Sequence, residues 1–318
     1  MTTIPTKEGE VAFEAPGAAK ETKTWYKILG DLTTSSEPPL VALHGGPGAG
    51  HEYLSPLTDL YRQYGIPIVY YDQIGCGRST HFQERMGDES FWTFDLFIRE
   101  LDNLVDHLQL RDRGFYLLGQ SWGGMLGGAY AALRPRGLKK IVLSGAPGSI
   151  PLLAQGARDL LASLPEHTRA TLAECDRKGD HESQEFQQAS KVFYDRHVCR
   201  LDPYPEDVMC AFKNLKEDPT AYMTMQGPSE FIIVGTFKDW EGWKEGHKIE
   251  AQALLINGQY DEATDLCVQP WFSSIPKVKW VTIEGASHMV HWEQRERYIQ
   301  VVGGFLKPGV LAGAEENV

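Results

Sequence analysis

Several features of secreted, membrane-spanning and metal-binding proteins are missing from this sequence. No apolar run approaches the ~18–20 residues that a membrane-spanning helix needs. The N-terminal stretch MTTIPTKEGE is polar and lacks the apolar core of a signal peptide. The five cysteines are odd in number and scattered, without metal-ligand spacing, which indicates free thiols in a reducing compartment. We therefore expect a cytoplasmic protein.

Basic residues and the common motifs for metal and phosphate binding are also scarce or missing. Neither HExxH nor CxxC occurs, and neither GxxxxGK[ST] nor a complete GxGxxG is present. Lys and Arg number 31 against 43 Asp and Glu, which gives a formal net charge of −12. This balance disfavours nucleic acid and anionic membrane surfaces as partners. We expect no metal and no cofactor.

What is present is an alternation of short apolar segments with segments of helical periodicity. Segments 11–14 and 24–29 predict an opening hairpin. Further strands are predicted at 40–43, 66–71, 114–118, 140–143, 253–256 and 278–283, and helices at 95–108, 123–132 and 294–305. This alternation favours an α/β fold with a mostly parallel central sheet covered on both faces. The small and polar tail from residue 307 is expected to fray.

The alternation stops between residues 147 and 246, where charged residues and helix formers dominate. Helices are predicted at 160–164, 182–192 and 205–214, and a single apolar strand at 231–234. We interpret 147–246 as a helical cap, or lid, inserted into a core domain formed by 1–146 and 247–318.

The run GQSWG at 119–123 lies between a predicted strand and a predicted helix. Gly-x-Ser-x-Gly in that setting is typical of the nucleophile elbow of α/β hydrolases. The turn is too tight for side chains on either flank, so Gly119 and Gly123 suit it. The turn exposes the Ser121 hydroxyl, and the following helix start directs backbone N–H groups toward the reaction. We predict that Ser121 is a catalytic nucleophile.

A serine nucleophile needs a base and an acid that orients the base. In this fold both follow late strands, in the order Ser, Asp or Glu, His. Asp261 follows the strand at 253–256 and His288 follows the strand at 278–283, so we expect them to be the acid and the base. Asp265 is the alternative acid, and His291, three residues after His288, is the alternative base.

Two glycine-containing loops follow predicted strands. HGGPG at 44–48 can bring backbone close to a substrate, and we predict an oxyanion hole formed by the N–H groups of Gly46 and Trp122. DQIGCGRS at 72–79 is interpreted as a structural loop in which Asp72 and Arg78 bond within the core. Cys76 in that loop is a much weaker candidate nucleophile than Ser121.

Taken together, HGGPG, DQIGCGRS, GQSWGG, GQYDE and SHMVHWE resemble the proline iminopeptidase family of α/β hydrolases in order and spacing. The segment MQGPSEFIIVGTFKDW at 225–240 is similar to the branch that includes the archaeal tricorn-interacting aminopeptidase. The resemblance implies an α/β-hydrolase fold and release of an N-terminal residue, often proline, from short peptides or amino-acid amides.

The resemblance also implies acidic side chains that bind the free amino group of the substrate. By motif these are Glu230 in GPSEF and Glu262 beside Asp261. Two carboxylates in a partly desolvated pocket favour an ammonium group. Aromatic residues are expected to wall a pocket for a proline ring, and they are Trp122, Phe231, Trp240 and Trp243.

Other functions are compatible with the same motifs. An esterase or lactonase of a small metabolite would use the same Ser121, Asp261 and His288, and it is the main alternative to a peptidase. A non-catalytic receptor on this fold is disfavoured because the catalytic set is intact. The feature that discriminates is whether Glu230 and Glu262 converge on the pocket.

Overall fold

The computed structural model describes residues 4–309, and within that range it contains one sheet of eight strands. The expected fraying of the tail concerns residues that lie largely outside this range. The strands are β1 Thr6–Ala12, β2 Lys23–Leu29, β3 Leu40–Leu43, β4 Ile68–Tyr71, β5 Phe115–Gln120, β6 Leu138–Ser144, β7 Gln252–Gly258 and β8 Val278–Ile283. No helix in the described range is long and apolar enough to cross a membrane.

The sheet is parallel from β4 onward, in the order β1-β2-β4-β3-β5-β6-β7-β8. The first two strands form an antiparallel hairpin, and β2 also pairs antiparallel with β4. Every residue of β3, β4 and β5 is buried. Strands covered on both faces have apolar side chains in continuous runs, which explains why these segments were recognisable in the sequence.

Helices surround the sheet and also form the inserted segment. The α-helices are α1 Thr58–Tyr64, α2 Phe94–His107, α3 Leu110–Arg113, α4 Trp122–Ala132, α5 Ile150–Ala162, α6 Glu166–Lys178, α7 Gln184–His197, α8 Glu206–Glu217, α9 Thr220–Met225, α10 Asp265–Ser274, α11 Val290–Glu293 and α12 Arg295–Leu306. Short 3-10 helices span Glu52–Leu57, Gln83–Arg85 and Gly242–Lys248. The expected α/β fold with a mostly parallel sheet is confirmed.

Helices α5 to α9 lie between β6 and β7, within the residues 147–246 that the sequence predicts to be an insertion and that we call the inserted segment. The inserted segment is tied to the sheet domain by polar contacts as well as by packing. Ser55 donates to the Asp207 carboxylate at 2.5 Å, and the Asn214 amide donates to the Ala49 carbonyl at 2.9 Å. These contacts hold α8 against the 3-10 helix that follows the HGGPG loop.

The strand predicted at 231–234 is wrong. The structure has only an isolated bridge there, between Ser229 and Ile232. Phe231 packs against Phe193 of α7, with ring centroids 4.9 Å apart. The apolar run therefore serves the core of the inserted segment and not a sheet. Helix α6 was not predicted because its sequence is mainly polar and gives a weak apolar period.

The close approach of β3, β5 and α4 predicts that a side chain at Gly123 destabilises the fold. A Cβ on Gly123 would lie 2.2 Å from the Leu43 carbonyl oxygen, so Gly123→Ala should lower the free energy of unfolding by about 3 kcal/mol or more. Chemical denaturation of purified protein measures this. Gly127→Ala, in the same helix, is the matched control because its Cβ would meet only the Ile141 side chain at 3.4 Å. It should be neutral or stabilising by up to about 1 kcal/mol. Equal stability of the two variants would contradict the prediction.

Candidate active site

Ser121 lies in a strained turn between β5 and α4. Its φ of 56° and ψ of −124° are unfavourable for a residue with a side chain. Backbone hydrogen bonds hold the turn, since the Ser121 N–H donates to the Ser144 carbonyl at 2.9 Å and the Gly124 N–H donates to the Ser121 carbonyl at 2.9 Å. A Cβ on Gly119 would lie 2.0 Å from the Gly123 carbonyl oxygen. The two glycines of GQSWG are therefore required by the turn.

The structure brings His288 and Asp261 together at the carboxyl ends of β7 and β8. The His288 Nδ1 lies 2.7 Å from the Asp261 Oδ1, and both side chains are buried. Asp261 also accepts from the backbone N–H groups of Ala263 at 2.9 Å and Gly258 at 3.3 Å. A carboxylate fixed in this way holds an imidazole with Nδ1 protonated and Nε2 directed into the cavity.

The alternative acid and base lie elsewhere. Asp265 begins α10 and accepts from the Asn257 amide at 2.9 Å. His291 lies in α11, where its Nε2 is 3.0 Å from the Tyr53 carbonyl, and burial lowers its pKa to about 3. His291 is thus held neutral with its ring bonded to backbone, so it is less suited to proton transfer than His288.

Ser121 and His288 line one cavity together with both residues of the predicted oxyanion hole. Carboxyl, amide and aromatic side chains also line it, from Glu230, Glu262, Gln226 and Phe237. The complete set of lining residues is Gly46, Ser121, Trp122, Met125, Gly145, Pro147, Ile150, Leu153, Gln226, Glu230, Phe237, Glu262, Ala263 and His288. Trp122 is the first residue of α4, where backbone N–H groups lack helical partners. The assignment of the Gly46 and Trp122 N–H groups to an oxyanion stays a prediction.

A buried hydrogen-bond network connects the HGGPG and DQIGCGRS loops to the elbow. The Gln73 N–H donates to the His44 Nε2 at 2.9 Å, so the ring proton of neutral His44 is on Nδ1. The Nδ1–H donates to the Gly45 carbonyl at 2.9 Å. The Gln73 side chain donates to the His44 carbonyl at 3.0 Å and accepts from the Trp122 indole at 2.8 Å. Burial raises the pKa of Cys76 well above its usual value, so this thiol is a poor nucleophile.

A second chain of hydrogen bonds crosses from the HGGPG loop to the histidine loop. The Tyr53 hydroxyl accepts from the Gly45 N–H at 2.7 Å and donates to the Gln120 side chain at 2.6 Å. Gln120 donates to the His288 carbonyl at 3.4 Å. Sequence reasoning missed these supporting roles. For Gln120 and Gln73 the signal was their place inside the motifs, whereas nothing local distinguishes Tyr53.

Asp72 organises the DQIGCGRS loop, as expected, but Arg78 does so only through its backbone. The Arg78 N–H donates to Asp72 at 2.9 Å, whereas its guanidinium pairs with Glu8 at the surface.

In the described residues, one trio of potential metal ligands, His51, Glu52 and Asp72, has its ligand atoms within 4.8 Å of one another. Asp72 already accepts from the His51 ring at 2.8 Å and its N–H at 3.0 Å. These bonds shape the loop.

Glu230 and Glu262 reach the cavity from different parts of the chain. Glu230 follows α9 in the inserted segment and accepts from the Tyr222 hydroxyl at 2.8 Å. Glu262 follows β7, and its Oε1 lies 3.6 Å from the His288 Nε2. Its Oε2 is buried without a hydrogen-bond partner. An unpaired buried carboxylate oxygen is costly, so it marks a place where a ligand donor can bind.

The electrostatics of the site are dominated by buried carboxyl groups. Burial raises the pKa of Glu230 and that of Glu262, and the charge of Glu230 adds to the rise at Glu262. At His288 burial acts to lower the pKa, but Asp261, Glu262 and Glu230 outweigh it and raise the pKa to about 10. The cavity therefore attracts cations.

The structure does not bring Phe231 and Trp240 to the cavity. Phe231 belongs to the aromatic core of the inserted segment, and Trp240 stacks on Phe94 with ring centroids 5.0 Å apart. The aromatic wall is formed by Trp122 and Phe237, which stack at 5.8 Å. Phe231 and Trp240 thus pack against other side chains and do not line the cavity, and their contact with substrate stays a prediction.

Comparison with known proteins identifies the fold and the family of this chain. Residues 38–294 match the family model described as the alpha/beta hydrolase fold. The proline iminopeptidase of Saccharolobus solfataricus is 37% identical over 282 residues, which are 89% of this chain and 88% of that relative. The crystal structure of VinJ has a TM-score of 0.88 at 40% identity, covering 94% of this chain and 98% of VinJ.

A proline iminopeptidase of Mycobacterium smegmatis gives a TM-score of 0.83 at 36% identity, with 94% of this chain and 97% of that chain covered. The fold and site define a serine hydrolase of the α/β-hydrolase class. Within that class the chain belongs to the proline iminopeptidase family.

The site geometry predicts which residues are indispensable. Ser121→Ala should abolish covalent labelling by a fluorophosphonate and lower turnover by several orders of magnitude. His288→Ala should cost about as much, because the members of a triad act as a unit. His291→Gln is the matched control, and it should retain most activity since its ring bonds only to backbone. Labelling of the Ser121 variant, or a larger loss in the His291 variant, would contradict the assignment.

Proposed function

We propose that this chain releases an N-terminal residue, proline or another small hydrophobic one, from short peptides or amino-acid amides through an acyl-enzyme. The observation that carries the proposal is a pair of carboxyl groups, buried Glu262 and half-buried Glu230, on the wall of the cavity that contains Ser121. An amino group at the substrate's N-terminus is the cation that such a cavity accommodates. The relatives named proline iminopeptidase support the same substrate class.

The proposed mechanism assigns one role to each residue. The Ser121 Oγ attacks the carbonyl carbon of the N-terminal residue while the His288 Nε2 takes the hydroxyl proton. Asp261 holds the imidazole through Nδ1, and the Gly46 and Trp122 N–H groups stabilise the oxyanion, each by ~2.7–4 kcal/mol. The tetrahedral intermediate expels the leaving amine, which takes the proton from Nε2. Water then hydrolyses the acyl-enzyme with His288 as base.

The esterase or lactonase alternative is not favoured. An ester or lactone without an amine would offer no cationic group to Glu230 and Glu262 and would leave the Glu262 Oε2 without a partner, which is costly. Curated relatives with 30–37% identity over about 90% of the chain are named proline iminopeptidase. We also propose a cytoplasmic site of action, which the five free cysteines support.

We further propose that the inserted segment 147–246 is a lid that sets substrate specificity. It contributes Pro147, Ile150, Leu153, Gln226, Glu230 and Phe237 to the cavity. The free space is only about 20 Å³, which by the same measure accommodates about one water molecule. A prolyl residue therefore requires side chains that line the cavity to move, and we propose that those of the lid do so.

The amino-group proposal predicts a change in substrate preference. Glu230→Gln should lower kcat/KM for an L-prolyl arylamide by about 30- to 4,000-fold, because losing one partner of a desolvated charge pair costs ~2–5 kcal/mol. The p-nitrophenyl ester of cyclopentanecarboxylic acid has the same ring size but no ammonium for Glu230 to bind. Its kcat/KM should change by less than about fivefold, which corresponds to about 1 kcal/mol. The ratio of the two kcat/KM values is the measurement.

Glu284→Gln is the matched control, since it removes an exposed carboxylate from the loop that leads to His288. It should leave the ratio at the wild-type value. An unchanged ratio in Glu230→Gln, or a wild type that prefers N-acylated substrates, would refute amino-group recognition and favour the esterase alternative.

The lid proposal separates two aromatic residues of the inserted segment. Phe237 lines the cavity and Phe231 does not. Phe237→Ala should change the relative kcat/KM values among alanyl, prolyl and leucyl arylamides by roughly tenfold, the scale of one apolar contact. Phe231→Ala should instead lower the melting temperature and affect all three substrates alike. If both variants lost activity uniformly, with equal stability losses, Phe237 would be part of the core only.

A further inference from the structure

Glu262 contacts the catalytic imidazole as well as the cavity. Its Oε1 lies 3.6 Å from the His288 Nε2, the nitrogen that must accept the Ser121 proton. Its Oε2 is buried without a partner. Ser121 lines the same cavity, yet within the described part of the chain its side chain makes no hydrogen bond to His288. In this structure Nε2 thus lies within ion-pair distance, although beyond hydrogen-bond distance, of a carboxylate that the serine mechanism does not require.

We propose that Glu262 determines specificity by competing with Ser121 for the Nε2 of His288 in the free enzyme, and that the substrate's ammonium group ends this competition by taking Glu262 as its own partner. The proposal rests on the amino-group recognition proposed above. It adds that the amino group is required for the chemical step and not only for binding.

The charges of the site balance under this proposal. Burial raises the pKa values of Glu230 and Glu262, and the charge of Glu230 adds to the rise at Glu262, so we assign one negative charge to this pair of carboxyl groups. In the free enzyme Asp261 and this pair flank a protonated His288. When the substrate binds, its ammonium replaces the imidazolium as the cation of the site, and the Nε2 proton leaves to solvent. Neutral His288 then accepts the Ser121 proton.

Other titratable groups around His288 do not supply the competing charge. The neighbouring histidines have their pKa values lowered by burial, and the neighbouring tyrosines have theirs raised by burial, so all of them are neutral at pH 7. These groups are His197, His291, Tyr194 and Tyr222. The His197 carbonyl also accepts the backbone N–H of His288 at 3.2 Å. The cation at His288 is therefore governed by Asp261, Glu262 and Glu230, which raise its pKa to about 10.

A substrate without an amine leaves the competition in place. His288 stays protonated at neutral pH, and the serine lacks a base even though the substrate fits the cavity. Linkage requires the reciprocal effect, so an ammonium that displaces the proton also binds more weakly as the pH falls. Glu262 thus discriminates against simple esters in kcat, whereas a residue that only binds the amine would leave the rate for esters unchanged.

The decisive test is the pH profile of an amine-free ester. In wild type, kcat/KM for p-nitrophenyl cyclopentanecarboxylate should rise with pH through an apparent pKa above 8, because only neutral His288 is active. Glu262→Gln should lower that apparent pKa by at least one unit and raise kcat/KM at pH 7 by about tenfold or more, since the neutral fraction rises tenfold per unit. The same variant should lose activity on the prolyl arylamide. Glu284→Gln should shift neither profile.

An unchanged or slower ester reaction in a folded Glu262→Gln enzyme would overturn the proposal. The wild-type enzyme provides a second test that needs no variant. Pyrrolidinium, a cyclic secondary ammonium with no bond to cleave, should release about one proton per molecule bound at pH 7, measured by calorimetry in two buffers of different ionisation enthalpy. Binding without proton release would overturn the competition alone. A Glu230→Gln ratio equal to wild type would instead overturn amino-group recognition, so the two failures are distinguishable.

Discussion

The close packing of β3, β5 and α4 is the constraint on which the site depends. Three backbone segments meet where a Cβ on Gly123 would lie 2.2 Å from the Leu43 carbonyl oxygen, so no side chain is tolerated. That contact brings the HGGPG loop beneath Ser121 and fixes the elbow in its strained conformation. Because β3, β5, β6, β7 and β8 run parallel, their carboxyl ends deliver the remaining groups to the same edge of the sheet.

The second constraint is electrostatic. The site combines the carboxyl groups of Asp261, Glu262 and Glu230 with the imidazole of His288. Asp261 and Glu262 are buried, and Glu230 is half-buried. Hydrogen bonds compensate Asp261 well, but the Glu262 Oε2 has no partner. Without a cationic ligand the negative charge of this site exceeds its positive charge, and burying that excess is costly. The site therefore favours a substrate that carries a cation. Glu262 also lies within ion-pair distance of the His288 Nε2, which is the basis of the coupling between substrate binding and proton transfer that we propose.

Much of the fold could be predicted because its core strands are buried on both faces. Their apolar runs are continuous, and the GQSWG, HGGPG, GQYDE and SHMVHWE motifs follow them directly. The structure of the inserted segment was harder to predict from the sequence. The run 231–234 packs against α7, but its apolar residues alone predict a strand. Phe237, rather than Phe231 or Trp240, reaches the cavity, and that choice depends on how the loop after α9 folds back. The roles of Tyr53 and Gln120 likewise depend on contacts between segments distant in sequence.

The most direct measurement of the central claim is a crystal structure of the Ser121→Ala variant with an uncleaved prolyl amide bound. We expect the prolyl nitrogen to lie about 3 Å from carboxylate oxygens of both Glu230 and Glu262, within hydrogen-bond distance. We also expect the scissile carbonyl carbon to lie over residue 121. A prolyl nitrogen directed to solvent, with the two carboxyl groups contacting only protein atoms, would contradict that claim.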